Sequence, residues 1–225
     1  RKLHKGLRQK DKEAKKHFKY QDNIVVTGNP VRNNFDLSFT DSDLRDLGID
    51  KNIPVVFSFG GSNGSFALNK AVIEISKDLE GEFYLLHQTG VRYYEDFCKR
   101  AKDTKYLKAF KYIDNIDLFY GVADLVIASS GAMSLAEISS VCKPSILIPK
   151  AYTTENHQEY NARTYVENDA SLMILEKDLT GSFLKEEIMS IIKDKEKIKK
   201  MGENAQKLAD KDALDKIYEQ IKELI

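Results

Sequence analysis

Residues 54–65 have the sequence PVVFSFGGSNGS, an apolar run that stops at a pair of glycines. A continuous apolar run bounded by glycine is typical of a strand buried on both faces of a sheet. The sequence therefore predicts a strand followed by a glycine-rich loop. Residues 66–79 then predict a helix, because they carry apolar side chains at helical spacing, namely Leu68, Ala71, Val72, Ile75 and Leu79.

The same alternation continues on both sides of this unit. It predicts strands near 83–87, 106–109, 124–128, 145–148 and 171–175, and helices across 93–101, 114–120, 131–141 and 155–168, with only helical patterns after residue 180. Upstream, the β-branched run Ile24–Thr27 suggests one more strand, and Thr40–Leu47 suggests a short helix capped by Thr40 or Asp41. Repeated βα units predict an α/β fold with a Rossmann-like parallel sheet and helices on both faces. Ligands of such sheets bind at the carboxyl ends of strands, near a switch in strand order.

The composition narrows the class of protein. The 225 residues are 42% hydrophobic, which is enough for a real core, and the 35 basic residues balance the 35 acidic ones. A net charge of zero gives no global field that would select nucleic acid, so no nucleic-acid partner is expected. Cys98 and Cys142 lie in no metal-ligand spacing, which favours a reducing, cytoplasmic location over a disulfide framework. No signal peptide is visible, and no apolar run is long enough to span a bilayer.

The first 20 residues differ from the rest in charge. They carry nine Lys or Arg residues against Asp11 and Glu13, and residues 5–19 have the pattern of a basic helix. A solvated helix face is the favoured interpretation. Contact with anionic lipid, at about 1 kcal/mol per well-placed cation, stays open. Because the sequence begins at Arg1 rather than Met, we expect a fragment. The patterns along the chain divide it into a basic helical segment (1–22), a Rossmann-like domain (23–175) and C-terminal helices (176–225).

The loop Gly60–Ser65 is the first candidate site. Glycines let a backbone approach a ligand closely, and the unpaired amides and dipole at the start of the following helix suit a phosphate. The alternative is a tight turn with a serine cap. No Gly-Lys-Ser/Thr follows, so this is not a Walker A loop.

The loop Ser129–Ser134 is the second candidate site, because it also joins an apolar strand to a helix. Glu137 follows in that helix. A carboxylate can accept hydrogen bonds from both hydroxyls of a ribose. The alternatives are an exposed glutamate on the helix surface or a capping box, for which Ser134 and Glu137 have the required spacing.

The third candidate site is Thr153–Asn161, where a helix begins. His157, Gln158 and Asn161 fall within its first turn and carry donors and acceptors suited to sugar hydroxyls. They could equally be ordinary helix-start residues. A metal pair of His157 and Glu137 is conceivable, but no third ligand is evident.

Arg32 and His87 are weaker candidates. Arg32 follows a Gly-Asn-Pro bend and could face a pyrophosphate, although a surface arginine is the default expectation. His87 is expected to be a hydrogen-bonded histidine at the edge of the core rather than a catalyst.

Six motifs occur in one order: TGNPVR at Thr27–Arg32, GGSNGS at Gly60–Ser65, HQTG at His87–Gly90, SGAMSLAEI at Ser130–Ile138, KPSILIP at Lys143–Pro149 and ENHQEYNA at Glu155–Ala162. This ordered set resembles the MurG family, glycosyltransferases of family 28 that add N-acetylglucosamine to the lipid-linked muramyl-pentapeptide precursor of peptidoglycan. The resemblance covers about residues 23–175. It implies one half of a GT-B fold, the C-terminal half that binds the UDP-sugar donor.

The resemblance also implies roles for individual residues. Glu137 would bind the ribose hydroxyls, backbone at Ile113 would contact the uracil edge, and Ile116 would line the pocket. The groups facing the pyrophosphate and the sugar would be Arg32, Gly61, Ser62, Asn63, Gly131, Ala132, Met133, His157, Gln158 and Asn161. Three departures from the family pattern concern the phosphate and sugar contacts: Asn63 with Ser65 in the glycine-rich loop, Ser129 with Ser130, and Lys150 where an aromatic residue is common.

The implied activity is an inverting, metal-independent transfer from UDP-N-acetylglucosamine (UDP-GlcNAc) that converts lipid I to lipid II, without a cofactor. The lipid acceptor site and the catalytic base belong to the family's N-terminal half, whose motifs are not found in this sequence. The whole enzyme would be cytoplasmic and peripheral on the inner face of the bacterial cell membrane. Three alternatives stay open: another UDP-sugar transferase, a sugar-nucleotide epimerase, or a non-catalytic domain that binds nucleotide sugars.

Overall fold

The structure, a computed structural model, describes residues 24–32, 34–152 and 156–223. The predicted basic helix within residues 1–22 lies outside the described residues, as do Thr153, Thr154 and Glu155 of the third candidate loop.

Six parallel strands form one sheet in the order β3-β2-β1-β4-β5-β6. The register pairs Val56 of the first strand with Leu85 of the second on one side and with Leu125 of the fourth on the other. This confirms the predicted Rossmann-like sheet. The strands are β1 (Val55–Phe59), β2 (Tyr84–Gln88), β3 (Leu107–Phe110), β4 (Leu125–Ala128), β5 (Ser145–Leu147) and β6 (Ser171–Met173).

Helices connect successive strands, as the alternating pattern predicted. Thr40 caps the first helix through a capping box with Asp43, as its sequence suggested. A short 3-10 turn at Glu176–Asp178 follows β6. The α-helices are α1 (Asp41–Asp46), α2 (Phe66–Ser76), α3 (Tyr94–Arg100), α4 (Ile116–Val122), α5 (Ala132–Ser140), α6 (His157–Glu167), α7 (Gly181–Ile192), α8 (Lys195–Lys207) and α9 (Ala213–Lys222).

The strand predicted at Ile24–Thr27 is wrong. These residues join no β-ladder. The residues just after this segment contact the start of α5, where Asn29 Nδ2 donates to the carbonyl oxygen of Ala132 at 3.3 Å. A run of four β-branched or apolar residues does not distinguish a strand from an extended connection that buries part of its side chains.

The sheet is buried on both faces, which explains the continuous apolar runs of its strands. Phe57 of β1 faces one core cluster together with Tyr120 of α4 and Leu135 of α5. Val56 faces the opposite cluster, which includes Ile188 of α7. The first two helices after β6, α7 and α8, therefore share the core of the sheet. Within the described ranges, no helix is long and apolar enough to cross a membrane.

Candidate functional site

The strand order changes direction between β1 and β4. From β1 the chain proceeds outward through β2 and β3, and then returns to place β4, β5 and β6 on the other side. The connections from these two halves leave the sheet in opposite directions, which opens a crevice at the carboxyl ends of β1 and β4. The first two candidate loops are the segments that follow these two strands, so the fold places them side by side.

Glycine is required at two points of the loop after β1. A Cβ on Gly60 would lie 2.2 Å from the amide nitrogen of Ser65, and one on Gly64 would lie 2.0 Å from the carbonyl oxygen of Thr89. Gly61 also has a positive φ of 79°, but a Cβ there would meet nothing within 4 Å. The loop is thus tightly packed at Gly60 and Gly64 and has open space beside Gly61. Ser65 caps α2 by accepting a hydrogen bond from the Leu68 amide, so the predicted serine cap is present.

Two side chains from neighbouring strands hold this loop. Gln88, at the end of β2, donates from Nε2 to the Gly61 carbonyl at 3.4 Å. Lys150, beyond β5, donates from Nζ to the Gly64 carbonyl at 2.9 Å. Burial lowers the pKa of Lys150, while the negative charge of Glu176 acts in the opposite direction. The loop therefore has an ammonium group beside it.

The loop after β4 leads into a helix whose N-cap is Gly131, a residue with no side chain to cap it. The first amides of a helix need acceptors from elsewhere, and such a terminus favours an anion. Two residues of α6 support the loop from the other side. Ser130 Oγ donates to the Gln158 carbonyl at 2.7 Å, and Asn161 Nδ2 donates to the Ser130 carbonyl at 3.2 Å.

Glu137 is half-buried in the second turn of α5. Its Oε2 accepts a hydrogen bond from Tyr120 Oη at 3.0 Å. Burial raises the pKa of Glu137; the Tyr120 hydrogen bond and the charge of Arg32 lower it, and Asp117 raises it further. The capping-box alternative for Glu137 is wrong, because α5 starts at Ala132 and its N-cap is Gly131 rather than Ser134.

Arg32 lies close to two carboxylates, those of Asp117 and Glu137. Its guanidinium forms an ion pair with Asp117 of α4 and lies over the Phe35 ring, 4.5 Å from the ring centroid. Asp117 also accepts a hydrogen bond from the Asp36 amide at 3.2 Å. The TGNPVR segment is thereby fixed beside Glu137, and contact of Arg32 with a pyrophosphate stays a prediction.

The segment predicted to contact a base lies between β3 and α4. Ile113 is buried, and its amide donates to Gln88 Oε1 at 2.9 Å. Ile116, the first residue of α4, is partly buried against the core. Of the two backbone groups of Ile113, the N–H is thus engaged within the protein by Gln88.

The three polar residues at the start of α6 have different environments: Gln158 and Asn161 bind the neighbouring loops, and His157 is exposed. Gln158 Oε1 accepts from the Lys150 amide at 3.0 Å, so the Gln158 side chain and the Asn161 amide group both support the loops. His157 is exposed at the first position of the helix. Ser62, Asn63 and Met133 are also exposed at the crevice loops. The described part of the chain contains no group of three or more His, Cys, Asp and Glu side chains that could hold a metal ion.

His87 is fully buried beneath this site. Its Nδ1 lies 2.7 Å from Ser58 Oγ, and its Nε2 lies 2.9 Å from Asn69 Oδ1. Since Asn69 Nδ2 donates to the Thr89 carbonyl, Oδ1 faces the ring and Nε2 carries the proton. Burial lowers the pKa of His87 to about 3. The ring is a neutral link between β1, β2 and α2, which agrees with the expectation of a hydrogen-bonded core-edge histidine.

Sequence reasoning assigned no role to Tyr120, Asp117 or Gln88, although all three contact predicted site residues. Gln88 lies in the HQTG motif at His87–Gly90, so the motif marked its position but not its contacts. Tyr120 and Asp117 belong to a helix that the sequence presents only as an apolar pattern. Their neighbours come from distant parts of the chain, and no local spacing reveals them.

Comparison with known proteins shows the family and the fold of this chain. The sequence model described as "Glycosyltransferase family 28 C-terminal domain" matches residues 55–217. A protein of Finegoldia magna is 46% identical over 216 residues, which are 92% of this chain and 58% of that protein. One from Acetivibrio thermocellus is 38% identical over 218 residues, 95% of this chain and 59% of that protein. Both are named UDP-N-acetylglucosamine--N-acetylmuramyl-(pentapeptide) pyrophosphoryl-undecaprenol N-acetylglucosamine transferase.

Solved structures share the fold. Acinetobacter baumannii MurG has a TM-score of 0.64 at 20% identity, covering 74% of this chain and 49% of that one. The S. aureus MnaA-UDP co-structure has a TM-score of 0.66 at 18% identity, covering 94% of this chain and 58% of that one. This chain spans less than two thirds of the length of each of these relatives. It is one Rossmann-like half of a GT-B fold, and it belongs to the family of the glycosyltransferase family 28 C-terminal domain.

Proposed function

We propose that this chain binds UDP-GlcNAc as the donor half of an inverting, metal-independent transferase that converts lipid I to lipid II. The observation that carries the proposal is the position of Glu137. Its half-buried carboxylate follows the loop after β4, beside the glycine-rich loop after β1, at the switch in strand order. That is the place where a doubly wound sheet binds a nucleotide.

Each part of the donor has a matching part of the crevice. The diphosphate would lie between the start of α5 and the Gly61–Ser62 backbone, where helix amides favour negative charge. The ribose hydroxyls would donate to Glu137, and uracil would lie against Ile113 and Ile116. The sugar would lie near His157, Gln158 and Asn161, and its hydroxyls would use hydrogen-bonding atoms of these side chains that the loops leave available. The exposed loop residues Ser62, Asn63 and Met133 would border it.

The choice of N-acetylglucosamine follows from the names of the relatives, 46% and 38% identical, that share this half. In the proposed reaction, an acceptor hydroxyl attacks the anomeric carbon as the bond from that carbon to the UDP oxygen breaks. A base takes the hydroxyl proton, and UDP leaves with the bonding electron pair. This half would stabilise the charge developing on UDP through helix amides and Lys150.

We place the lipid-linked muramyl-pentapeptide acceptor site and the catalytic base outside these 225 residues, in the half of the relatives that this chain does not match. The whole enzyme would then work on a membrane lipid, peripheral to the inner face of the cytoplasmic membrane. On this proposal the 225-residue chain binds the donor but transfers little or no sugar by itself. Efficient turnover of a lipid acceptor by this chain alone would contradict that division of roles.

Isothermal titration calorimetry in EDTA tests the donor site. UDP-GlcNAc, UDP-GalNAc and UDP-glucose are titrated into the wild-type chain, a Glu137→Ala variant and a Glu203→Ala control. Glu203 is an exposed carboxylate on α8, next to Gly202, which packs against Cys142 beyond the end of α5 opposite the crevice. Removing a carboxylate bound to ribose hydroxyls should weaken binding by about 1.5–3 kcal/mol, or roughly 10- to 150-fold. Equal UDP-GlcNAc affinity in Glu137→Ala and Glu203→Ala would contradict the proposed ribose contact. Tighter binding of another UDP-sugar would mean that UDP-GlcNAc is not the donor.

A further inference from the structure

A hydroxyl from the core reaches the Glu137 carboxylate. Tyr120 lies on α4 and is fully buried, and its Oη donates to Glu137 Oε2 at 3.0 Å. The two residues are 17 apart in sequence and belong to different helices. Their hydrogen bond therefore connects the core of the domain to the edge of the crevice.

Three aromatic side chains pack against the Tyr120 ring. Phe57 and Phe35 meet it edge to face, with centroids 5.6 and 6.0 Å away, and Phe59 lies 6.2 Å away at a steep angle. A ring packed in this way has a fixed direction for its hydroxyl. Burial, followed by the nearby Glu137 charge, raises the pKa of Tyr120 well above its ordinary value, so the hydroxyl keeps its proton and acts as a donor.

Glu137 needs such a fixed partner if it binds a diol. The terminal torsion of a glutamate side chain is soft, so an unsupported carboxylate samples many orientations. An ionised carboxylate has about four lone-pair sites, and the Tyr120 bond occupies one of them. Two ribose hydroxyls can still be accepted, and the plane in which they must lie is set in advance.

We propose that Tyr120 is a positioning residue for the ribose: its hydroxyl orients the Glu137 carboxylate to accept both ribose hydroxyls. The inference rests on the proposed function and adds a residue that touches no part of the donor. It also predicts an effect on charge. Tyr120 and Arg32 favour the ionised form of Glu137, whereas burial and Asp117 favour the protonated form. Losing the Tyr120 hydroxyl would shift this balance towards protonation.

The competing explanation is that a buried tyrosine merely needs an acceptor and uses Glu137 to satisfy it. The two explanations differ in which ligands respond. A structural defect would weaken all uridine nucleotides alike. A positioning defect would weaken only those ligands whose ribose hydroxyls reach Glu137.

The test compares Tyr120→Phe with the wild-type chain by calorimetry, using UDP and 2′,3′-dideoxy-UDP. Tyr165→Phe is the matched control, because Tyr165 is also buried and its hydroxyl binds α5 at other groups, the Leu135 carbonyl at 2.9 Å and the Ser139 hydroxyl. We expect Tyr120→Phe to weaken UDP about three- to tenfold and to leave dideoxy-UDP unchanged. The acidic pH at which UDP affinity falls should also move upward in Tyr120→Phe and stay in place in Tyr165→Phe.

The outcomes separate this inference from the function beneath it. If the wild type prefers UDP over dideoxy-UDP but Tyr120→Phe weakens both equally or neither, the positioning role is wrong and the ribose site stands. If the wild type does not distinguish the two nucleotides and Glu137→Ala has no effect, the ribose site itself is wrong and the inference falls with it.

Discussion

Lys150 Nζ donates to the carbonyl oxygen of Gly64 at 2.9 Å, which joins the segment after β5 to the loop after β1. Since β4 lies between these two strands, the lysine side chain crosses the crevice above the carboxyl end of β4. The residue stands where the resemblance leads one to expect an aromatic side chain. This chain therefore has an ammonium group beside the glycine-rich loop that we propose faces the diphosphate, where the family pattern has an aromatic residue.

Replacing Lys150 should weaken binding of the diphosphate. A charge-assisted contact in a partly buried site contributes about 1–2 kcal/mol, so Lys150→Met should bind UDP roughly 5- to 30-fold more weakly than the wild type. Lys150→Arg should keep most of the affinity because it keeps the charge. Uridine, which has no phosphate, is the control ligand in the same calorimetric series. Unchanged UDP affinity in Lys150→Met would remove Lys150 from the proposed site.

Two glycines of the loop after β1 should respond differently to the same substitution. In Gly64→Ala the new Cβ would lie 2.0 Å from the Thr89 carbonyl, a backbone atom that cannot move aside easily. In Gly61→Ala the Cβ would enter open space, and only the positive φ would oppose it. We expect a loss of about 1–2 kcal/mol in the free energy of unfolding for Gly61→Ala and a larger loss for Gly64→Ala. Urea denaturation measures both, and equal losses would contradict the packing.

Gln88 should influence which base is accepted. In the structure its Oε1 takes the Ile113 N–H, so Ile113 can offer a base only its carbonyl oxygen. A carbonyl accepts the N3–H of uracil, whereas N3 of cytosine carries no proton. The wild type should therefore prefer UDP over CDP. Gln88→Leu would release the Ile113 N–H, which could then donate to cytosine N3. The ratio of UDP affinity to CDP affinity should therefore be smaller in Gln88→Leu than in the wild type. Calorimetry with both nucleotides measures the ratio, and a ratio unchanged in Gln88→Leu would refute the assignment.

The sheet was predictable because its cause is local. Each buried strand appears in the sequence as a short apolar run, and glycines or a capping residue such as Thr40 mark where the next element begins. The loops that line the crevice follow from this order, since all parallel strands end on one edge. The prediction of a strand at Ile24–Thr27 was wrong because it also rested on a local pattern. The segment has the composition of a strand, but no strand of the sheet pairs with it.

The contacts that orient the candidate site were not predictable from the sequence. Tyr120 and Glu137 meet because α4 and α5 pack on the same face of the sheet. Lys150 meets Gly64, 86 positions earlier in the chain, because two strands stand either side of β4. Such pairs depend on the three-dimensional order of strands, whereas sequence spacing reports only neighbours along one element.

The buried histidine should make the domain sensitive to acid. The pKa of His87 falls from its ordinary 6.5 to about 3 on folding, so above pH 6.5 the ring is neutral in both states and contributes no pH dependence. Below pH 6.5 the unfolded chain binds a proton that the folded chain refuses. The free energy of unfolding therefore decreases as the pH falls from 6.5 towards 3, because over this range the unfolded chain binds more protons than the folded chain.

At pH 5 this one group should account for about 2 kcal/mol of lost stability relative to pH 7.5. A His87→Gln variant cannot titrate there, although its lost contacts to Ser58 and Asn69 should lower its stability at every pH. The informative quantity is therefore the change between pH 7.5 and pH 5, measured by urea denaturation. The wild type should lose about 2 kcal/mol more than His87→Gln over that interval, because carboxylates that titrate in both proteins cancel. Equal losses would mean that His87 takes up a proton in the folded domain, and the neutral ring between Ser58 and Asn69 would have to be abandoned.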